Sequence, residues 1–396
     1  MAQIHHCDIC IVGNGAVGKA AALGLAQAGL TVRVLCESAA PTVASADWDV
    51  RVFALNHVAY DLLDQLKVWG ALDHSRVAAV TGMQVKDGAE QRDGQLGFDA
   101  YSARTQELAW IIENRNLSLA LDSALRFAQN LQLHVGRAQQ LHVDTQAARL
   151  TLADGDTIEA KLIVGADGAQ SWVRGQCDIG IDYRSYGQKG VVTNFECSKP
   201  HHGVAHQWFI EDQGIIALLP LPGQRVSLVW SAPDTLADRL VREPLSGLVS
   251  ALEHYCLETH GHLTPVLPED IKAFPLRLIC PHSLIAERVA LIGDAAHVVH
   301  PLAGHGMNLG FGDVADLLRL VKQRDEFRDC GDARLLEAYR RARKQDVLLM
   351  QVTTDGLSRL FGSNLGPARL MRNLGMNLLD RLPLIKNKLI SHAMGR

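Results

Sequence analysis

The sequence predicts an α/β chain, α+β overall, and three short segments carry that prediction. Each is an apolar run that ends in a turn of glycine and acidic or small residues. Asp8-Ile-Cys-Ile-Val12 runs into Gly13-Asn-Gly-Ala-Val-Gly18, and Ala160-Lys-Leu-Ile-Val164 runs into Gly165-Ala-Asp-Gly168. Arg288-Val-Ala-Leu-Ile292 runs into Gly293-Asp294. Such runs make buried parallel strands. Three of them ending in ligand-type turns imply one extended polar ligand that touches three parts of a single sheet.

The first segment opens a Rossmann-like unit. A helix from Val17 to about Ala28 follows the strand, then Gly29, then a second strand, Thr31-Val-Arg-Val-Leu35, ending at Glu37. In G-x-G-x-x-G, Gly13 permits a tight turn and Gly15 lets the backbone approach a pyrophosphate. Gly18 lets the helix pack close to the strand, and Glu37 stands about twenty residues beyond, where an acid holds a ribose diol. Position alone does not separate FAD from NAD. An amphipathic helix over Val58 to Leu66 completes a unit of residues 1–76. Alternation between Thr81 and Gly97 suggests strands, and Leu117, Leu121, Ala124, Leu125 and Ala128 give Glu113 to Gln129 helical spacing. Residues 131–168 read as a strand, a hairpin turned at Asp154-Gly155, and the strand carrying Asp167. From about 180 to 283 the runs 190–196, 214–220 and 225–230 suggest an antiparallel sheet. In the third segment, Pro301 and the glycines Gly304, Gly306 and Gly310 lead into an amphipathic helix ending near Val321. There Asp294 accepts from sugar-like hydroxyls, and the N–H groups near Gly304 to Asn308 face negative charge.

Composition bounds the rest. At 396 residues the chain holds two or three domains, and an apolar fraction of 47% suffices for a large core. A net charge of −4, with no basic tract of nucleic-acid type, argues against nucleic acid. No signal peptide and no apolar run of about 18 residues is visible, so a cytoplasmic protein is expected. Eight cysteines are scattered along the chain. Cys7 and Cys10 have redox-pair spacing, but on one strand they face opposite ways, so they read as small apolar residues. His201, His202 and His206 complete no metal pattern, and no metal is expected.

Gly165-Ala-Asp-Gly-Ala-Gln-Ser-Trp-Val-Arg174 resembles the Asp-Gly motif of FAD-dependent aromatic hydroxylases of the para-hydroxybenzoate hydroxylase type. Within that group, the segment from His300 to Asp313 resembles the signature of the ubiquinone-biosynthesis ring hydroxylases. Asp49-Val-Arg51, Ile112-Glu-Asn-Arg115 and Leu370-Met-Arg-Asn-Leu-Gly375 extend the resemblance from end to end. It departs at His305, where the family has Gln.

The resemblance implies a discontinuous FAD-binding domain (1–76, 101–179 and 284–330), interleaved with an antiparallel-sheet substrate domain (77–100 and 180–283). A helical C-terminal region, 331–396, follows. The cofactor contacts it implies are Gly13, Gly15, Ala16, Gly18, Glu37, Arg51, Arg115, Asp167, Gly168, Asp294, Ala303, Gly304, Gly306, Met307 and Asn308. Pro301, His305 and Gly306 are the implied catalytic positions. The implied reaction passes oxygen from a flavin C4a-hydroperoxide, formed with dioxygen, to the ring of a polyprenylated phenol or quinol. Reducing equivalents would come transiently from NAD(P)H or a ferredoxin system. The neighbouring readings are a hydroxylase of small phenols and a non-catalytic FAD-binding component of a quinone-biosynthesis complex; a flavin halogenase lacks its Trp-x-Trp-x-Ile-Pro motif here. Residues 365–396 carry six basic side chains against Asp380, a local charge of +5. They could lie on the inner face of a membrane as a basic amphipathic helix or pack on the FAD domain.

Overall fold

The structure is a computed structural model that describes residues 2–38, 40, 42–87, 95–267, 270–300 and 305–361. Its first sheet has four long strands and one short one in parallel, in the order Leu131–Val135, Val32–Cys36, Ile4–Val12, Thr157–Gly165 and Val289–Leu291. The apolar runs read as buried strands are these strands: Ile9, Ile11, Val34, Leu162, Val164 and Leu291 are almost wholly buried. Helices Ala16–Gln27, Asn114–Leu125 and His305–Lys322 pack into the same core. Strands Ala138–Val143 and Ala148–Leu152 form an antiparallel meander with Thr157–Gly165. That is one strand more than the pattern between 131 and 168 suggests.

The second sheet has eight strands and rests on Ile181–Cys197, which pairs with Arg225–Pro233 on one side. On its other side lie Leu263–Pro265 and Lys272–Pro281. Gly214–Leu221 and Val204–Ile210 continue the sheet to Gly82–Asp87 and Gln95–Asp99. It is antiparallel except at Val204–Ile210, which runs parallel to Gly82–Asp87. A small third sheet joins Val52–Leu55 and Val77–Val80 to Ala109–Glu113.

Two departures from the sequence reading have local causes. The helix expected over 113–129 ends at Leu125, where Phe127 and Ala128 donate back to Ala124 and Leu125 in tight turns. Asn130 Nδ2 then donates to the Ala26 and Leu30 carbonyls and starts the next strand. The stretch read as strands from 180 to 283 also contains helices Asp234–Arg242 and Leu245–His260. Each begins after a proline, which favours the first turn of a helix. The final described helix is Ala333–Phe361; the basic segment 365–396 lies outside the described residues.

Candidate active site

The carboxyl ends of the parallel strands meet in a staircase of backbone bonds. Gly13 N donates to Leu35 O (2.9 Å), Ala166 N to Val12 O (2.8 Å), and Ile292 N to Gly165 O (2.9 Å). The three turns singled out in the sequence therefore sit side by side at one edge, where open α/β sheets bind ligands. Gly13 has φ +112°, and a Cβ there would lie 2.3 Å from Ala166 O. A Cβ on Gly18 would lie 2.4 Å from Gly13 O, so its absence lets helix Ala16–Gln27 start against the turn. Gly15 is different. Among the described residues a Cβ on it would meet nothing within 4 Å, and the residue is exposed with ordinary φ −66°. Val17 packs against both Gly293 and Gly310 and ties the first turn to the third.

The acids fall into two kinds. Asp167 Oδ2 accepts from Val173 N (3.0 Å), while Oδ1 is buried with no hydrogen-bond partner among the described residues. Arg174, buried, donates to the Ala169 and Ala295 carbonyls and so clamps the second turn to the third. Asp294 is open to solvent yet lies deep enough in a cleft that desolvation raises its pKa, opposed by the charges of His297 and Arg51. An accessible carboxylate on the floor of a recess satisfies both observations. Asp313 is wholly buried and accepts from Gly293 N (2.8 Å), His297 Nε2 (2.7 Å) and Arg343 Nε (2.7 Å). Burial pushes its pKa up, but His297 and Arg343 outweigh burial and hold it below the usual range. Asp313 thus anchors the turn that presents Asp294. The sequence reading contained Asp313 but assigned it no role, and Arg343 and Arg174 carried no assigned role either.

Arg51 and Arg115, distant in sequence, are brought together by the pairing of Val52 with Glu113. Asp49 accepts from the backbone N–H of Arg51 (3.0 Å) and of Arg115 (3.1 Å), and Arg115 Nη1 donates to Asp47 O (3.0 Å). Buried Glu113 holds Asp49 N and the Arg76 guanidinium. Asn308 accepts from Asn56 N (3.0 Å) and donates to Ala54 O (2.8 Å), fastening the start of helix His305–Lys322 to the third sheet. Glu37 is 80% exposed at the end of its strand, 3.8 Å from Arg137. Ala16 opens its helix, Gly168 adopts φ +82°, and Met307 is half-buried against the core. A Cβ on Gly306 would meet nothing within 4 Å among the described residues. Pro301, Ala303 and Gly304 lie outside the described residues; His305 is described only as the first residue of its helix.

The other candidates are bound up in structure. His201 Nε2 points at the Leu221 and Gly223 carbonyls and Nδ1 accepts from Gly203 N, which uses both nitrogens on a loop. Cys10 is buried, and burial pushes the Cys7 thiol up to about 12, so neither forms a thiolate near neutral pH. His5, His134 and Asp156 come within 4.8 Å of one another. Arg33, 3.4 Å from His134 Nδ1, opposes a cation there.

The donor set suits an extended dinucleotide: a buried orphan carboxylate oxygen at Asp167, an uncovered glycine face at Gly15 and a helix N-terminus, all on one sheet edge. A family model described as FAD binding domain matches residues 6–352. The chain is 35% identical to a ubiquinone hydroxylase of Rhodospirillum rubrum, over 98% of this chain and 89% of that protein. It is 34% identical to the 3-demethoxyubiquinol 3-hydroxylase of Escherichia coli, over 98% of each. Against the Drosophila melanogaster ubiquinone biosynthesis monooxygenase COQ6 it is 30% identical, over 99% of this chain and 90% of the other. Among solved structures, p-nitrophenol 4-monooxygenase from Pseudomonas putida superposes with a TM-score of 0.77 at 18% identity, covering 100% of this chain and 99% of that one. A Klebsiella pneumoniae HpxO variant complexed with FAD gives 0.73 at 18% identity, covering 98% of each. At those identities the superpositions speak for the fold alone. With a family match over most of its length and relatives aligned end to end, the chain belongs to the FAD-dependent ubiquinone-biosynthesis ring hydroxylases, a branch of the para-hydroxybenzoate hydroxylase-like flavoprotein monooxygenases.

Proposed function

We infer that this protein is an FAD-dependent monooxygenase that hydroxylates the aromatic ring of a polyprenylated ubiquinone precursor. The observation that carries the reading is the end-to-end alignment with ubiquinone hydroxylases, joined to three intact cofactor-type turns on one sheet edge.

Bound FAD supplies the activation of dioxygen and the transfer of one oxygen atom to the ring, a reaction that side chains alone cannot perform. The residues bind, orient and shield. Gly13, Gly15, Ala16 and Gly18 present backbone N–H groups and a helix start to the pyrophosphate. Glu37 holds the adenosine ribose; Asp167 and Asp294, with Gly168, hold the sugar-alcohol chain. Arg51 would contact the flavin edge and Arg115 would lie near the cofactor, both segments held by Asp49. The positive end of helix His305–Lys322, with Ala303, Gly304, Gly306, Met307 and Asn308, favours negative charge on the flavin pyrimidine. Pro301, His305 and Gly306 are the catalytic positions of this reading, and His305 puts a titratable group where the family has Gln.

The domain partition that goes with this reading is 1–76, 101–179 and 284–330 for FAD, 77–100 and 180–283 for substrate, and 331–396 as a helical region. NAD(P)H or a ferredoxin system delivers electrons transiently. No helix of the described residues is long and apolar enough to cross a membrane. We place the protein in the cytoplasm, meeting its lipid-soluble substrate at the membrane surface through the basic segment 365–396 or through partner proteins of a biosynthetic complex.

The test is rescue of quinone synthesis in three bacterial strains, each lacking one ring hydroxylase, with quinones identified by mass spectrometry. Rescue of at least one strain is expected and assigns the ring position. Soluble, FAD-loaded protein that rescues none would remove the ubiquinone reading.

A further inference from the structure

Three backbone bonds join the turns on the first sheet's edge, and a fourth continues the series outward. Gly136 N donates to Cys36 O at 2.9 Å, so the chain leaving strand Leu131–Val135 is fastened to the end of strand Val32–Cys36. The two strands run parallel with Val135 opposite Cys36, which sets Gly136 and Arg137 level with Glu37. Arg137 is held from its other side as well, because its carbonyl accepts from Ala153 N at 2.9 Å. The chain beyond Glu37 is tied back to the glycine turn, where Asn14 Nδ2 donates to Ser38 O at 2.8 Å. Glu37 and Arg137 thus project from fixed backbone at neighbouring strand ends.

The Arg137 guanidinium stands 3.8 Å from the Glu37 carboxylate, and both side chains are 80% exposed. An ion pair so open to water contributes little to folding, so stability does not account for it. Its place is that of ligand contacts, at the carboxyl ends of parallel strands. The strand order then gives the direction of a bound dinucleotide. The pyrophosphate belongs over the Gly13 to Gly18 turn, at the end of strand Ile4–Val12, and the ribose belongs at Glu37, one strand further out. The base hangs beyond that ribose, and the next strand end outward is that of Leu131–Val135, followed by Arg137. Val135, 56% exposed, leaves an apolar side chain uncovered there. A flat ring suits such a place, and the planar guanidinium of arginine stacks on nucleobases.

We propose that Arg137 stacks on the adenine of FAD, so that two neighbouring strand ends grip the adenosine half, Glu37 by the ribose and Arg137 by the base. The assignment rests on the FAD reading of this sheet edge and adds a contact to it. Glu37 is then also a positioning residue, because its carboxylate keeps the guanidinium near the base.

The experiment titrates FAD into full-length, FAD-free protein and reads the quenching of flavin fluorescence, with thermal unfolding of the FAD-free protein alongside. Arg137→Ala should weaken FAD binding about three- to thirtyfold, the scale of one cation over an aromatic face, and leave the melting temperature where it was. Arg137→Lys keeps the charge without the plane and should stay near the alanine variant. Arg137→Tyr supplies a neutral ring that stacks and should bind FAD within about threefold of the wild type. Wild-type affinity in Arg137→Ala, recovery by lysine, or failure of tyrosine to recover overturns the proposal and leaves the FAD reading standing. So does a loss of melting temperature that tracks the loss of affinity, which is the mark of a structural role. FAD-free wild type that takes up no FAD would sink both readings.

Discussion

The glycines of the first turn should separate folding from cofactor binding. In Gly13→Ala the new methyl meets Ala166 O at 2.3 Å, Ala166 C at 2.6 Å and Asp167 N at 2.9 Å, all backbone atoms that cannot swing aside, at φ +112°. Backbone strain of about 1–3 kcal/mol and overpacking of about 1–3 kcal/mol add to roughly 2–6 kcal/mol. That is a large share of a typical stability of about 5–15 kcal/mol. Gly15→Ala meets nothing within 4 Å at φ −66°, so the cofactor-free protein should keep its stability within about 0.5 kcal/mol, or gain slightly from a stiffer unfolded chain. Yet that methyl covers the face over which a pyrophosphate approaches, and FAD affinity should fall about tenfold or more, at least about 1.4 kcal/mol. Thermal unfolding of the FAD-free variants and quenching of flavin fluorescence on titration read the two effects separately. Wild-type FAD affinity in Gly15→Ala would refute the reasoning, as would equal losses of cofactor-free stability at Gly13 and Gly15.

Three further outcomes are expected. Asp313→Asn removes the fully buried partner of Arg343, which keeps Asp346 and Asp316, and should cost about 1.5–3 kcal/mol in denaturant unfolding at pH 7. The wild-type carboxyl is held below its ordinary value, so this gap should be constant above about pH 4 and close only as the pH falls further. Asp294→Asn should raise the melting temperature of the FAD-free protein at neutral pH, because desolvation penalises the charge there, and should weaken FAD binding; a drop in melting temperature contradicts the cleft geometry. Burial holds His206 and His300 at about 4 and His260 at about 3, so all three stay neutral while the unfolded chain takes up protons below about pH 6.5. Stability should therefore fall between about pH 6.5 and 4, by up to about 1.4 kcal/mol per pH unit for each imidazole. Replacing His206 and His260 with apolar residues should flatten that slope, measured by urea unfolding across the range.

How much was legible follows from the range of each signal. Gly13, Asp167 and Asp294 stand at strand ends because the cues for a buried run and a turn are local, within about ten residues. The family-specific segment around Gly304 to Asn308 is likewise a local pattern. The helices Asp234–Arg242 and Leu245–His260 had local cues too, in Pro233, Pro244 and the spacing of Leu245, Leu248, Leu252 and Cys256, but those cues sit among strand-like runs and were read with them.

By itself the sequence determined an α/β sheet with three ligand turns, one cofactor class and the periodicities that bury its strands. Only the tertiary structure decided which distant side chains meet. Asp49 joins Arg51 to Arg115, Asp313 receives Arg343 from thirty residues away, and His300 meets Gln188 across 112. Such pairs depend on how sheets and helices stack and on where a bulge turns a strand. Those choices rest on packing and on the cost of leaving a buried polar atom unmatched, and no short stretch of sequence contains both partners.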